Sequence, residues 1–255
     1  MVLSDKVCVI TGSGSGIGEV TAKRFAEEGA TVIVVDIDDK QANRVAEEIN
    51  RMHGPESAYA IITDVSSDQE VRKLIEAIVE RVGKIDVLFN NAAKILPKPL
   101  EEVEEDEWNS LLDVNLKSVY LMIKYAIPLL RRTGGNIINM SSLNGLVGQK
   151  KNAAYAATKG AIIAMTKALA LDYAEDGVRV NCICPAGVIT PLLEQWIKEQ
   201  EDPESTRRIL NDMHALGRPA NAEEIADAAL FLASGQSRFM TGVALPVDGG
   251  ASLGY

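Results

Sequence analysis

Along the 255-residue chain, short runs of β-branched and aliphatic residues alternate with longer stretches whose apolar positions recur every three or four residues. The short runs predict strands at Lys6–Thr11, Thr31–Val35, Ala58–Thr63, Val87–Asn90, Gly135–Met140, Val178–Ile183 and Val243–Val247. The longer ones predict helices at Gly16–Glu28, Asp39–Met52, Ser67–Val82, Asp106–Arg131, Asn152–Asp176 and Ala222–Ala233. Runs such as VIVVD and NIINM are apolar nearly throughout, which marks strands covered on both faces. Strand then helix, repeated with right-handed crossovers, implies an α/β fold: a doubly wound parallel sheet of about seven strands with helices on both faces. No linker, charge block or repeat interrupts the alternation, so residues 1–255 are expected to form one domain. The rhythm lapses only at 185–219, where two short helices around Pro203 are expected to form a substrate loop or lid.

The first predicted strand ends at Thr11 and runs into GSGSGIG, with Gly12, Gly16 and Gly18 opening the first helix. Glycines there allow a close backbone approach, and the helix N-terminus offers N–H groups and a positive dipole end to a pyrophosphate, as in a Rossmann dinucleotide fold. The second strand ends at Asp36, 18 residues beyond Gly18, where an acid accepts hydrogen bonds from ribose hydroxyls. A 2′-phosphate would meet Asp36, with Asp38 and Asp39 close behind, while position 15 is Ser and position 37 is Ile; the expected cofactor is NAD, not NADP. Asp64 and Val65 follow the third strand, where they are expected at the adenine ring, and Asn90–Asn91 close the fourth.

Composition narrows the classes of function. With 36 acidic against 26 basic residues the net charge is −10, which disfavours nucleic acid and anionic membrane surfaces. No apolar run reaches the length of a membrane span, and no signal peptide is read at the start, so the cytoplasm is the expected address. Cys8, Cys182 and Cys184 suit buried free thiols in a reducing compartment, and no metal is expected. His53 and His214 fall outside every motif and are expected at the surface. No G-x-S-x-G elbow or P-loop is present, which removes the hydrolase reading.

The strongest chemical signal is Tyr155 and Lys159, four apart on one helix face. An ammonium beside a phenol favours the phenolate; bringing the phenol from ~10 to near neutrality needs roughly three pH units, or about 4 kcal/mol. Ser142 follows the strand GNIINM at the same sheet edge, where its hydroxyl can bond a substrate oxygen. Asn115, in LLDVNLKSV, is expected at a kinked or irregular turn.

Together, T-G-x-x-x-G-I-G at Thr11–Gly18, N-N-A at Asn90–Ala92, Asn115, Ser142 and Y-x-x-x-K at Tyr155–Lys159 resemble the short-chain dehydrogenase/reductase family over nearly the whole chain. The resemblance implies that Tyr155 is the general acid/base, that Lys159 lowers its pKa and binds the nicotinamide ribose, that Ser142 orients the carbonyl and that Asn115 supports a proton relay. It implies a cofactor site of Gly12, Ser15, Gly16, Ile17, Gly18, Asp36, Ile37, Asp64, Val65, Asn91, Ala92, Tyr155, Lys159, Pro185, Val188 and Thr190. It also implies a homotetramer built on the helices at Asp106–Arg131 and Asn152–Asp176. Two positions depart from the family pattern: Ala93 stands where Gly follows N-N-A, and Ala186 follows Pro185 with Gly187 one place later.

The expected activity is hydride transfer between NAD and a secondary alcohol or ketone. TPLLEQW at Thr190–Trp196 and the tail GGASLGY resemble the branch of L-fucose and other sugar dehydrogenases, which includes hydroxysteroid enzymes. Lys94, Lys150 and Lys151 are expected to flank the mouth and to suit a sugar acid. Two other readings stand beside this one: a 3-oxoacyl-carrier-protein reductase, and a dinucleotide sensor without chemistry.

Overall fold

A computed structural model describes residues 1–253, apart from the side chain of Leu192; the last two residues of the GGASLGY tail lie outside it. Seven strands form one parallel sheet: Val7–Thr11 (β1), Thr31–Asp36 (β2), Ala58–Ile62 (β3), Val87–Asn90 (β4), Asn136–Met140 (β5), Arg179–Pro185 (β6) and, after two short strands described below, Ala244–Val247 (β9). Their order is β3-β2-β1-β4-β5-β6-β9. The chain therefore starts in mid-sheet, winds outward to β3 and returns to lay β4 beside β1, leaving a crevice where the two halves diverge.

The uniformly apolar strands are explained by their two faces. Val7 and Val9 of β1 point into a core formed with helices Asp68–Val82 (α3), Ser118–Thr133 (α5) and Ala153–Asp172 (α6), through side chains such as Leu74, Met122 and Ile162. Cys8 and Ile10 point into a second core with Gly16–Glu27 (α1), Asp39–His53 (α2) and Ala222–Ala233 (α9), through Phe25, Val45 and Ile225. All three cysteines are buried free thiols.

The long helix predicted at Asp106–Arg131 is divided. Glu105–Leu112 (α4) leads into a π turn at Asp113–Lys117, where the Ser118 N–H donates to the Asp113 carbonyl five residues back, before α5 begins. The irregular turn expected at Asn115 is this one. The helix predicted to reach Asp176 stops at Asp172, because the chain turns back through Gly177 at φ 71° and the Val178 N–H bonds the Tyr173 carbonyl.

Between Pro185 and Pro219 the two expected helices form, Pro191–Lys198 (α7) and Pro203–Asp212 (α8). Each begins with a proline in its first turn and a side-chain cap: Thr190 accepts the Leu193 N–H, and Asp202 accepts the Ser205 N–H. The segment also carries a feature absent from the sequence reading, a two-residue parallel pairing of Val188–Ile189 (β7) with Ala220–Asn221 (β8). Among the described residues, no helix is long and apolar enough to cross a membrane.

Candidate active site

At the crevice, the ends of β1 and β4 are tied together. The Thr11 hydroxyl accepts the N–H groups of Asn91 (3.0 Å) and Ala92 (3.1 Å), while the Asn91 amide donates to the carbonyls of Thr11 and Gly12, both at 3.0 Å. The approach leaves no room for side chains on the loop between them. A Cβ on Gly12, whose φ is 64°, would lie 2.8 Å from Ala92 Cα, and one on Gly18 would lie 2.2 Å from the Gly12 carbonyl oxygen. Ser15 takes the N-cap position of α1, yet its side chain caps no N–H, so the first-turn donors stay available to a ligand. At the end of β2, Asp36 accepts the Gly14 N–H at 2.8 Å and the Asp38 N–H at 3.1 Å, which seats the carboxylate against the same loop.

On the other side of the crevice, β5 delivers Ser142, and the chain then makes a tight turn at Leu143–Gly145 beneath α6. That turn needs a glycine because a Cβ on Gly145 would come within 2.8 Å of the Lys159 carbonyl oxygen; the Ser141 hydroxyl donates to the same oxygen at 2.8 Å. Ser142, Tyr155 and Lys159 are thereby brought together. Lys159 is 1% exposed, its ammonium donates to the Met140 carbonyl at 2.8 Å, and it sits 5.5 Å from the centre of the Tyr155 ring. Burial pushes the Lys159 pKa down to about 8.

Burial also governs the phenol. It pushes the Tyr155 pKa up to about 12, against an opposing pull from the Ser142 hydroxyl. This reverses the direction expected from the sequence. The ammonium lies over the ring, bonded to a backbone carbonyl instead of the phenolic oxygen, so in this chain alone Tyr155 is held as a proton donor. Asn115, buried in the π turn, spends its amide on the backbone of Lys94: its oxygen accepts the Lys94 N–H at 2.7 Å and its nitrogen donates to the Lys94 carbonyl at 2.9 Å.

These groups border a single cavity of about 880 Å³. Gly12, Ser15, Gly16, Ile17, Asp36, Ile37, Asp64, Val65, Asn91, Ala92, Ser142, Tyr155, Lys159, Pro185, Val188 and Thr190 all line it, while Gly18 and Asn115 stand behind the wall. A dinucleotide fits what is offered: a loop from which Cβ atoms are excluded, uncapped helix N–H groups, a carboxylate at the end of β2, and a proton donor beyond β5.

A family model described as enoyl-(acyl carrier protein) reductase matches residues 12–252. The chain is 42% identical to L-fucose dehydrogenase of Bos taurus over 98% of its own length and 90% of that protein. It is 39% identical to meso-2,3-butanediol dehydrogenase of Serratia marcescens, covering 99% of this chain and 96% of the other. The chain belongs to the short-chain dehydrogenase/reductase family. A crystal structure of 3-ketoacyl-(acyl-carrier-protein) reductase from Brucella melitensis, complexed with NADH, superposes on it with a TM-score of 0.88 at 38% identity, over 98% of this chain and 99% of that one. As a member of the family the protein is an oxidoreductase acting on CH–OH groups.

Several wall residues of this short-chain dehydrogenase were missed from the sequence. Asp106, Asn109 and Ser110 on α4 and Asp113 at the start of the π turn line the cavity as a polar stripe, at the i, i+3, i+4, i+7 spacing that could have revealed them. Arg44 donates to the Gly14 carbonyl at 3.1 Å, so an arginine does approach the ribose side. It is held there by both oxygens of Glu19 and by Glu48, a pairing between α1 and α2 with no local sequence signature. Of the three lysines expected at the mouth, Lys94 lines the cavity with its ammonium bonded to the Ser110 hydroxyl at 3.0 Å, whereas Lys150 and Lys151 are exposed and outside the lining. Ala93 and Ala186 both face the cavity. His53 is exposed as expected, but His214 is buried, because the fold supplies a hydrogen-bond partner to each of its ring nitrogens.

Proposed function

We propose that this oxidoreductase uses NAD to interconvert a secondary alcohol and its ketone, with a neutral sugar or polyol as substrate. The observation that carries the reading is the convergence of Ser142, Tyr155 and Lys159 in the same cavity as the glycine loop and Asp36. NAD bound there supplies hydride exchange at the nicotinamide ring. In the reducing direction the Tyr155 hydroxyl gives its proton to the carbonyl oxygen, and in the oxidising direction the phenolate takes it back. The Ser142 hydroxyl donates a hydrogen bond to the same oxygen and fixes its position. Lys159 would hold the nicotinamide ribose and would supply the positive charge near the phenolate once it forms, and Asn115 holds the Lys94 backbone and with it the wall near Ser110.

Asp36 supports NAD over NADP, since its carboxylate would repel a 2′-phosphate and Arg44 is committed to Glu19 and Glu48. The carboxylates of Asp106 and Asp113 on the cavity wall favour a neutral hydroxylated substrate over a sugar acid. The names of the fucose and butanediol relatives support the same class. Residues 1–255 then act as one catalytic domain, with 185–219 as the substrate lid, and the three buried free thiols suit the cytoplasm.

The test is a panel of sugars, polyols and steroids followed by absorbance of the reduced nicotinamide, with NAD and NADP compared. Tyr155→Phe should lower kcat by roughly 10²–10⁴-fold while leaving dinucleotide binding intact. The likeness to 3-ketoacyl-(acyl-carrier-protein) reductase favours a second reading, a 3-oxoacyl-carrier-protein reductase. A 3-oxoacyl thioester added to the panel and preferred over the sugars and polyols would establish it, although a net charge of −10 repels an acidic carrier.

A further inference from the structure

His214 belongs to no motif of the site, and it is 3% exposed. Its Nδ1 lies 2.7 Å from the Leu210 carbonyl oxygen, which can only accept, so the ring proton is on Nδ1. Nε2 is then the bare nitrogen, and it accepts the Gly187 N–H at 3.2 Å. The carbonyl of Gly187 accepts the Ala220 N–H at 2.9 Å, so residue 187 is held through both its N–H and its C=O by the segment that follows α8. Contact is close: a Cβ at 187 would lie 3.2 Å from His214 Cε1 and 3.4 Å from Pro219 Cβ. That approach gives a reason for the glycine at 187, one place after its usual position.

Gly187 is the anchor of the wall formed by Pro185, Ala186, Val188 and Thr190. Sheet order assigns that wall to one end of the dinucleotide. Asp36 and the glycine loop stand on β2 and β1, whereas Pro185 ends β6, beyond the strand that carries Ser142.

We propose that His214 is a positioning residue: its Nδ1–H tautomer locks the Gly187 peptide, sets the 185–190 wall against the nicotinamide end of the dinucleotide, and joins α8 to that wall. The inference rests on the dinucleotide reading above.

Calorimetric titration with NAD and with ADP-ribose, which lacks the nicotinamide, separates the two. Wild type should bind both. His214→Leu removes the acceptor and should weaken NAD binding roughly tenfold while changing ADP-ribose binding less than about twofold. Equal loss of both ligands would reduce His214 to a general structural role, and no loss of either would remove the role altogether; both results overturn the proposal. A wild type that binds neither ligand overturns the dinucleotide reading and this inference with it. Should the leucine variant not fold, ¹⁵N-correlated NMR of the wild-type imidazoles serves, since the chain has only 2 histidines. The His214 ring should be the Nδ1–H tautomer, and its Nε2 signal should move on adding NAD but not ADP-ribose; an Nε2–H tautomer, or a signal indifferent to NAD, would overturn the proposal.

Discussion

Lys159 carries a buried ammonium whose polar contact is one backbone carbonyl, and among the described residues no carboxylate pairs with it. Its pKa falls from 10.5 unfolded to about 8 folded, so between those values the unfolded chain binds more protons and stability rises with pH. The penalty, roughly 3 kcal/mol before any offset from the Met140 bond, is fully present below about pH 8. Lys159→Met should therefore be more stable than wild type in urea melts at pH 7, and the difference should shrink as pH approaches 10. The same charge has a kinetic signature. On the proposed mechanism carbonyl reduction uses the phenolic proton, held to about pH 12, and the ammonium, held to about pH 8, so its kcat/KM should be level near neutrality and decline above about pH 8. Gly18 permits a separate test. With 2.2 Å between its would-be Cβ and the Gly12 oxygen, Gly18→Ala must displace the loop, and dinucleotide affinity should fall at least roughly tenfold by calorimetry.

At the joint between β1 and β4 one hydroxyl, that of Thr11, accepts two N–H groups. Thr11→Val keeps the shape and removes the acceptor, leaving both donors unsatisfied, and should destabilise the fold by roughly 2–4 kcal/mol in denaturant titration. Strands such as β1 and β2 were legible from the sequence because burial on both faces leaves an unbroken apolar run. The cavity lining was legible for a related reason: in a parallel sheet, residues just past the strand ends converge on one edge, so finding the strands locates the wall. Pro203 likewise marked the place of the two short helices within 185–219. What stayed hidden depends on pairs distant in the chain. The β7–β8 pairing, the Glu19–Arg44 contact and the His214–Gly187 bond join positions about 25 to 32 apart, and neither partner carries a local pattern. The phenol's upward shift was hidden as well, because four-residue spacing brings Lys159 near Tyr155 without saying which atom its ammonium will choose.

Taken as one body, the described chain exposes more apolar surface than its site requires. Phe239 is 102% exposed, Leu171 is 80% exposed and Tyr120 is half exposed. We infer that they are covered in the homotetramer implied by the family resemblance, with α5 and α6 supplying Tyr120 and Leu171. Light scattering should give a four-chain mass for wild type and a smaller one for the double variant Leu171→Glu, Phe239→Glu; a one-chain wild type would dismiss the assembly.

The π turn at Asp113–Lys117 gives this stretch a tolerance of length that a plain α-helix lacks. One residue more than α geometry requires is folded into it, and in an α-helix each residue advances the angular phase by about 100°. Because the turn absorbs that residue locally, deleting Val114 would let α4 and α5 fuse into a continuous rod with Asp106, Asn109 and Ser110 still facing the cavity, whereas deleting Leu111 from α4 would swing them by about 100°. A residue lost from the turn is slack taken up, whereas one lost from α4 is a gear slipping by a tooth.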